Sequence, residues 1–399
     1  MTQAADASLQ GTQHKLPAGW RWARLGDVCE INAGQSPPGE TYRKSPEGLP
    51  FFQGKADFGR RHPVARTWCV APSKVALPGD ILLSIRAPVG PTNVADVECC
   101  IGRGLAAIRP ENNVDRDFIL ATLRFLEREL ARLGSGSTFD AIRRDHLASM
   151  LIPLPPLAQQ QRIAAILSEQ MAAVERARAP AEARLEAAKT LPAAYLRAAF
   201  GSPEAETWPK KLLGDVLRIR NEVVHPQDNP SGPATFVGLE HIESGTGRRL
   251  GSVAVEKAAL TGRKPCFYKG DIVYGYLRPY LNKVWVADCD GLCSVDQYVY
   301  SVDQNTANVD FVAWFMRSPV YLTRAPIGLT PGQLPRIRTE EVSSVEINLP
   351  PLAEQRRVRA MLNEQMSLAE RVHEALEEEL DAINKLPAAL LRRAFSGGL

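Results

Sequence analysis

Basic and aromatic side chains in segments predicted as loops are the groups of this sequence best suited to bind a ligand. In the first half these are Lys55, Arg60, Arg61, Arg86, Arg103, Arg143 and Arg144. In the second half these are Arg248, Arg249, Lys264, Tyr276, Arg278, Lys283, Arg336 and Arg338. Arginine can bind guanine through two hydrogen bonds in a major groove, and lysine or arginine can hold phosphates. We predict these residues as candidate DNA contacts, although such residues are also common as solvated surface charge.

Catalytic motifs are absent from the sequence. There is no G-x-x-x-x-G-K-[ST] nucleotide loop, no H-E-x-x-H metal motif and no G-x-S-x-G elbow. The Asn-Pro-Pro-aromatic motif of amino-methyltransferases is also missing, because Asn229-Pro230 is followed by Ser231. Gly102-Arg103-Gly104 begins a G-x-G-x-x-A match, but Ile108-Arg109-Pro110 follows it like a strand. We therefore predict a hairpin turn there, no catalytic residue, no metal ligand and no cofactor held by this chain.

The composition indicates a globular protein. Hydrophobic residues make up 45% and charged residues 23% of the 399 residues, a length suited to two domains. No apolar run approaches the roughly 20 residues needed to cross a bilayer, and the polar N-terminal segment lacks a signal-peptide core, so we predict a cytoplasmic location. The seven cysteines form no C-x-x-C pair, which favours buried free thiols over zinc ligands or disulfides. The formal net charge of +3 does not by itself predict nucleic-acid binding.

Two segments of the chain are copies of one plan. Residues 155–200 and 350–395 align without a gap at a shift of 195 positions, with 24 identities in 46 positions. Upstream, Leu25-Gly26-Asp27-Val28 corresponds to Leu213-Gly214-Asp215-Val216, whereas most of the sequence that follows these matches differs. The order is therefore A–B–A′–B′, a pseudo-twofold internal repeat in which a divergent module precedes a constant one.

The B segments are predicted to be long helices that pair as an antiparallel coiled coil. Leu362, Ala369, Leu376 and Ile383 recur every seven residues, which is typical of a coiled-coil seam. We predict that each helix ends before the Leu-Pro at 191–192 or 386–387 and that a short helix restarts there, while Pro180 kinks or interrupts the first copy. An alternative, in which each helix packs only on its own domain, stays open.

The A segments are predicted to be mixed α/β domains, which makes the chain an α+β protein. Apolar runs at 79–85, 104–110, 270–277 and 294–302 are bounded by glycine, proline or polar residues, as strands are. Residues 117–133 and 310–326 have the apolar spacing of helices. Each A segment has about 140 residues, which is enough for a hydrophobic core of its own.

The A–B–A′–B′ order resembles that of the specificity subunits of type I restriction-modification systems (HsdS). The B segments open with LPPLAQQQRI and LPPLAEQRRV and close with Ala-Phe-Gly or Ala-Phe-Ser, as in that family. The resemblance covers the chain after about residue 16. It implies target-recognition domains over 16–155 and 208–350, each reading one half of a split, asymmetric DNA site. Residues 156–207 and 351–399 are then spacer helices that set the distance between the half-sites and dock the modification subunits.

The resemblance also assigns the chemistry to other proteins. S-adenosylmethionine, ATP and Mg are expected only on partner subunits, namely two methyltransferase (modification) subunits and the motor-nuclease restriction subunits. Double-stranded DNA is the expected ligand, with half-site centres roughly 10–11 base pairs apart for contact from one side. Two alternatives stay open, a stand-alone methyltransferase or nuclease and a coiled-coil adaptor with two protein-binding heads.

Overall fold

The computed structural model describes residues 16–134, 141–327 and 334–399. The chain forms two compact units. Unit 1 contains the residues up to Pro180 together with Leu380–Leu399, and unit 2 contains Ala181–Glu379. Each unit combines strands with parts of two long helices, so the architecture is α+β as predicted. Within the described residues, no helix is long and apolar enough to cross a membrane.

The strands of unit 1 form three sheets. The strands are β1 (Arg21–Arg24), β2 (Cys29–Ala33), β3 (Tyr42–Arg43), β4 (Leu49–Phe52), β5 (Trp68–Cys69), β6 (Val75–Ala76), β7 (Ile81–Ser84), β8 (Thr92–Val94), β9 (Cys99–Ile101), β10 (Leu105–Pro110) and β11 (Leu151–Leu154). The helices are α1 (Arg116–Phe125), α2 (Glu127–Gly134), α3 (Arg144–Ser149) and the first part of α4 (Leu157–Phe200). The sheet orders are β1-β11, β2-β10-β7-β8 and β3-β5-β4-β9-β6.

The strands of unit 2 also form three sheets. They are β12 (Lys210–Leu212), β13 (Leu217–Ile219), β14 (Val223–Val224), β15 (Pro233–Val237), β16 (Val253–Glu256), β17 (Lys264–Phe267), β18 (Ile272–Gly275), β19 (Val284–Val286), β20 (Gly291–Cys293), β21 (Gln297–Val302) and β22 (Glu346–Asn348). The helices are α5 (Pro203–Glu206), α6 (Leu213–Val216), α7 (Val309–Arg317), α8 (Pro319–Arg324), α9 (Thr339–Ser343) and α10 (Leu352–Phe395), whose last part belongs to unit 1. The sheet orders are β12-β22, β13-β21-β18-β19 and β14-β17-β20-β15-β16.

Each four-stranded sheet has a central strand that starts at a Gly-Asp turn. Gly79 has φ +93° and Gly270 has φ +90°, a backbone region that favours glycine. Asp80 and Asp271 follow, and each carboxylate accepts a hydrogen bond from the backbone N–H three residues earlier, at 2.8 and 2.9 Å. The strands that follow, β7 and β18, are buried at every residue. The turn therefore fixes where each buried strand begins.

The predicted strands and helices of the A segments are confirmed, but one connection is wrong. The predicted runs contain β7, β10, β18 and β21, and each predicted helix is split into two, α1 with α2 and α7 with α8. The turn at Gly102-Arg103-Gly104 is not a hairpin, because β9 pairs with β4 and β6 whereas β10 pairs with β2 and β7. A strand follows this turn, where a dinucleotide site would need a helix.

The predicted ends of the long helices are wrong. Both helices continue through their internal prolines to the final phenylalanine, and Pro180 does not interrupt α4. A proline in a helix interior removes one backbone donor and costs about 3 kcal/mol, which the burial of residues beyond it can offset. The anchors beyond the Leu-Pro pairs are buried: Leu196, Phe200, Leu391 and Phe395.

The final phenylalanine of each long helix lies in an aromatic cluster. In unit 1 the ring centroid of Phe395 is 6.2 Å from that of Trp20, 5.6 Å from Phe118 and 4.7 Å from Phe125. In unit 2 the Phe200 ring lies 5.2 Å from Phe311 and 5.6 Å from Phe315. The Ala-Phe endings of the B segments are therefore core residues of the units in which they pack.

The seven cysteines are free thiols, as predicted, and six of them are buried. Burial raises the pKa of Cys29, Cys99, Cys100 and Cys293 to about 12, so these thiols stay protonated at neutral pH. Within the described residues, no group of three or more histidine, cysteine or acidic side chains is placed to hold a metal ion.

Candidate nucleic-acid interface

A buried glutamine joins the start of each long helix to its unit. The Gln160 side chain accepts a hydrogen bond from the Asp115 N–H at 2.9 Å and donates one to a proline carbonyl at 2.8 Å. The Gln355 side chain likewise accepts from the Asn308 N–H at 2.8 Å and donates to a proline carbonyl at 2.8 Å. Asp115 and Asn308 cap the N-termini of α1 and α7. The L-P-P-L-A-x-Q stretch is thus a structural joint that positions each set of strands on its helix.

Three predicted DNA contacts of unit 1 already bind groups of the same unit. Arg60 forms a salt bridge with Glu175 of α4. Arg61 lies 3.9 Å from a carboxylate of α1, and Arg144 donates from Nε to a carbonyl of β2 at 3.1 Å. A phosphate would have to compete with these partners.

The other four predicted contacts of unit 1 lie on neighbouring segments. Backbone hydrogen bonds of 2.9 Å join the segment of Arg86 to the segment of Arg143 and to the turn that contains Arg103. A backbone hydrogen bond of 2.8 Å joins this turn to the end of β4, three residues before Lys55. All four side chains are exposed, and no described residue forms a hydrogen bond or ion pair with them. We call this set, Lys55, Arg86, Arg103 and Arg143, the basic edge of unit 1.

Most of the predicted lysine and arginine contacts before position 300 in unit 2 are also engaged. Arg248 forms salt bridges with Glu243, at 3.2 Å, and with Glu370 of α10. Arg249 pairs with a carboxylate at 3.1 Å, Lys283 donates to a carbonyl at 2.5 Å, and the Lys264 ammonium lies 5.4 Å from the centroid of an aromatic ring. These four residues therefore stabilise unit 2 itself.

The remaining predicted contacts of unit 2 meet where the segment after β18 pairs with the segment before α9. Arg278 donates its backbone N–H to the Pro335 carbonyl at 2.7 Å, and the Tyr276 carbonyl accepts from Ile337 at 3.2 Å. Arg278, Arg336 and Arg338 are exposed, and their guanidinium groups have no hydrogen-bond or ion-pair partner among the described residues.

Two residues beside this junction were not predicted from the sequence. The Tyr298 ring stacks on Tyr276 with centroids 4.4 Å apart, and the Asp296 carbonyl accepts the Tyr276 N–H at 3.2 Å. Burial raises the pKa of both tyrosines, so their hydroxyls stay protonated. Tyr298 lies within a predicted strand, where its alternation with the buried positions was the only available signal. We call the set Tyr276, Arg278, Asp296, Tyr298, Arg336 and Arg338 the mixed edge of unit 2.

The two arginine–glutamate pairs on the long helices are equivalent. Glu175 and Glu370 occupy the same position in the two B segments. Each binds an arginine from a loop of its own unit, Arg60 or Arg248. These glutamates, also not predicted as functional, tie a loop of each unit to the long helix.

Comparison with known proteins connects the chain to one family. Residues 17–182 match the family profile described as "Type I restriction modification DNA specificity domain". The EcoDI type I restriction enzyme specificity subunit of Escherichia coli is 25% identical over 418 residues, which covers 96% of this chain and 90% of that protein. The MjaX specificity subunit homologue of Methanocaldococcus jannaschii is 43% identical over 153 residues, 38% of this chain.

The stronger identities cover only part of the relatives. The chain matches 36% of the length of the MjaX homologue. The crystal structure of an HsdS subunit from Thermoanaerobacter tengcongensis has 56% sequence identity and a TM-score of 0.37, covering 41% of this chain and 40% of that one. The resemblance inferred from the sequence is confirmed by the family profile and the EcoDI relative.

Proposed function

We propose that this chain, a member of the type I restriction-modification specificity family, is the non-catalytic DNA sequence-specificity subunit of such a system. Unit 1 and unit 2 each read one half of a bipartite, asymmetric DNA site. The observation that carries the proposal is that each unit places arginines without a side-chain partner among the described residues on matching segments, on the basic edge and the mixed edge. Arginine without an internal partner is free to bind phosphates or guanine.

Double-stranded DNA is the proposed ligand, and the positive charge and planar groups of the two edges support it. The basic edge offers four cations for phosphates and guanines. The mixed edge offers three guanidinium groups and a stacked tyrosine pair, with a carboxylate that suits a cytosine amino group. Because the two edges differ, the two half-sites should differ in sequence. Two weak readers in one chain bind as a bivalent ligand, which makes the combined site specific.

The long helices set the spacer between half-sites and dock two modification subunits in this proposal. Their antiparallel pairing is supported by contacts inside the units. In unit 1, Leu167 of α4 and Leu391 of α10 belong to one hydrophobic core. In unit 2, Arg184 of α4 forms a 2.7 Å salt bridge with Glu379 of α10, and Leu196 shares a core with Leu362. As the residue number increases along α4, the residue number of the matching position on α10 therefore decreases, as in an antiparallel pair.

The partner subunits supply the chemistry in this proposal. Two methyltransferase subunits would bring S-adenosylmethionine and methylate adenines, and restriction subunits would bring ATP-driven cleavage. This chain would contribute recognition only.

Mapping methylated adenines tests the function directly. The chain is co-expressed with its modification subunit, and the host DNA is sequenced by a method that detects methyladenine. A split motif with two different halves and a fixed unspecified spacer is the expected result. A stable complex that methylates no motif would contradict the proposal, as would the same motif in cells that lack this chain.

An adaptor with two protein-binding heads is the competing function, and salt dependence separates the two. When a protein binds DNA through phosphates, the logarithm of the association constant falls linearly with the logarithm of the salt concentration. The slope is about −0.9 for each contacted phosphate. An adaptor would give no sequence-dependent binding of DNA duplexes at any salt concentration.

A further inference from the structure

A tight turn after β18 carries exposed side chains on an unusual backbone. Arg278 and Asn282 flank the 3-10 turn Pro279–Leu281, and both have left-handed backbones, with φ of +48° and +51°. Residues other than glycine adopt this region rarely, and a residue before proline is restricted further. The surrounding structure must therefore hold Arg278 in place, and such backbone strain concentrates at functional sites.

Hydrogen bonds hold the turn at both ends. Besides its bond to the Pro335 carbonyl, Arg278 accepts the Leu281 N–H at 2.8 Å. Asn282 is 8% exposed, donates its amide to the Arg317 carbonyl and accepts the Gly245 N–H at 3.0 Å. The turn also begins three residues after the end of β18, whose four residues are all buried. It is therefore a fixed projection with a defined direction.

The outward residues of the turn are suited to reading bases. The Arg278 guanidinium is exposed and unpaired among the described residues, and the Tyr280 residue is 55% exposed. Neither group stabilises the turn through a hydrogen bond within the described chain. A guanidinium can bind guanine O6 and N7 together, and an aromatic ring can contact a thymine methyl group or stack on a base.

We propose that the Arg278–Asn282 turn is the base-reading element of unit 2, in which Arg278 binds a guanine edge and Tyr280 makes the adjacent apolar contact. This rests on the proposed function and narrows it to two specificity-determining side chains. Arg336 and Arg338, one segment away, then hold the neighbouring phosphates.

The test uses two variants of Arg278 in the complex with modification subunits. Arg278→Gly removes the side chain and suits the left-handed backbone, so the turn should stay folded. Arg278→Lys keeps the charge but replaces the planar guanidinium, with its two parallel N–H donors, by a single ammonium group. Methylation rates are measured on duplexes that carry the wild-type motif and each of its single-base variants. Arg249→Ala is the matched control, because that arginine is already paired with a carboxylate.

Arg278→Gly should lose roughly 10- to 100-fold of the discrimination at one base pair in one half-site, and Arg278→Lys should lose a smaller part of it. The other half-site should keep its discrimination, and Arg278→Lys should keep the wild-type salt dependence. Tyr280→Ser should weaken discrimination at a neighbouring base pair, whereas Tyr280→Phe should not. Unchanged discrimination, or a uniform loss of rate at every position, would overturn the inference. A wild-type complex that modifies no motif would instead overturn the function on which it rests.

Discussion

The basic edge and the mixed edge occupy matching places in their units but present different groups. In unit 1 the N–H that follows β7 binds the turn of Arg103 at 2.9 Å. In unit 2 the corresponding N–H, that of Tyr276, binds the carbonyl of Asp296. The same backbone arrangement therefore carries the guanidinium of Arg103 at this turn in unit 1 and the carboxylate of Asp296 in unit 2. In the proposed function, the backbone arrangement would then fix where bases are met, and the side chains would decide which bases.

The five-stranded sheets show a similar contrast. The order β5-β4-β9-β6 in unit 1 has its counterpart in β16-β15-β20-β17 of unit 2. The extra strand, however, lies beside β5 in unit 1 and beside β17, at the opposite edge, in unit 2. The inner strands of this sheet are therefore common, and the edge strand is free to differ.

The buried aspartates of the two Gly-Asp turns pair with arginines that come from different places in the two units. Asp80 pairs with Arg109 of β10 at 2.8 Å, whereas Asp271 pairs with Arg220, just after β13, at 2.5 Å. An unpaired carboxylate in a buried turn would be costly. Both units meet that requirement with an arginine, but Arg109 lies in β10 whereas Arg220 follows β13.

The largest expected effect is a loss of stability when the phenylalanine that ends a long helix is removed from the aromatic cluster of its unit. Phe395→Ala should destabilise unit 1 and Phe200→Ala should destabilise unit 2, each by about 3–5 kcal/mol, because each removes a buried ring. Hydrogen exchange should show lost protection around Phe118 in the first variant and around Phe311 in the second. Loss of protection in the same unit for both variants would contradict this assignment of the helix ends.

The glutamine joints should be equivalent in the two units. Gln160→Leu and Gln355→Leu should each lower the free energy of unfolding by about 1–3 kcal/mol, since the backbone N–H of Asp115 or Asn308 loses its buried acceptor. Urea unfolding monitored by circular dichroism gives the values. The exposed neighbour Gln161→Leu is the control and should change stability little. A control variant as unstable as Gln160→Leu would show that the joint has no special role.

Features of the fold and of the candidate site that depend on residues close together in the sequence were predictable, whereas contacts between distant residues were not. The repeat, the strands after the Gly-Asp turns and the long helices were predictable because their patterns are local. The helix ends were not, since buried Leu196 and Leu391 outweigh the cost of a proline only after tertiary packing. The pairing of Arg60 with Glu175, 115 residues away, leaves no local pattern, so engaged and free arginines look alike in the sequence.

Free and engaged arginines should differ in DNA binding. Arg143→Ala, in the basic edge, should weaken binding of a cognate duplex by about 1 kcal/mol and reduce the salt slope by about 0.9 for one lost phosphate contact. Arg249→Ala, which removes an engaged arginine, should leave the salt slope unchanged. Fluorescence anisotropy at several salt concentrations measures both. Equal slopes in the two variants would remove the distinction.

The smallest effect concerns the loop-to-helix salt bridges. Arg60→Ala and Arg248→Ala should each lower stability by only about 0–1 kcal/mol, because these pairs are exposed to solvent. Thermal unfolding measures the change, and combining Arg60→Ala with Glu175→Ala should add almost nothing. A loss above about 2 kcal/mol for either single variant would show that the bridge is more than a surface pair.

The central claim is that each unit reads its own half of one DNA site. Methylated-adenine maps of two double variants, Arg86→Ala with Arg103→Ala in the basic edge and Arg278→Gly with Tyr280→Ser in the turn of unit 2, test it most directly. The account predicts that each variant relaxes one half of the wild-type motif and that the two altered halves do not overlap. Relaxation of the same half by both variants, or of neither half, would contradict it.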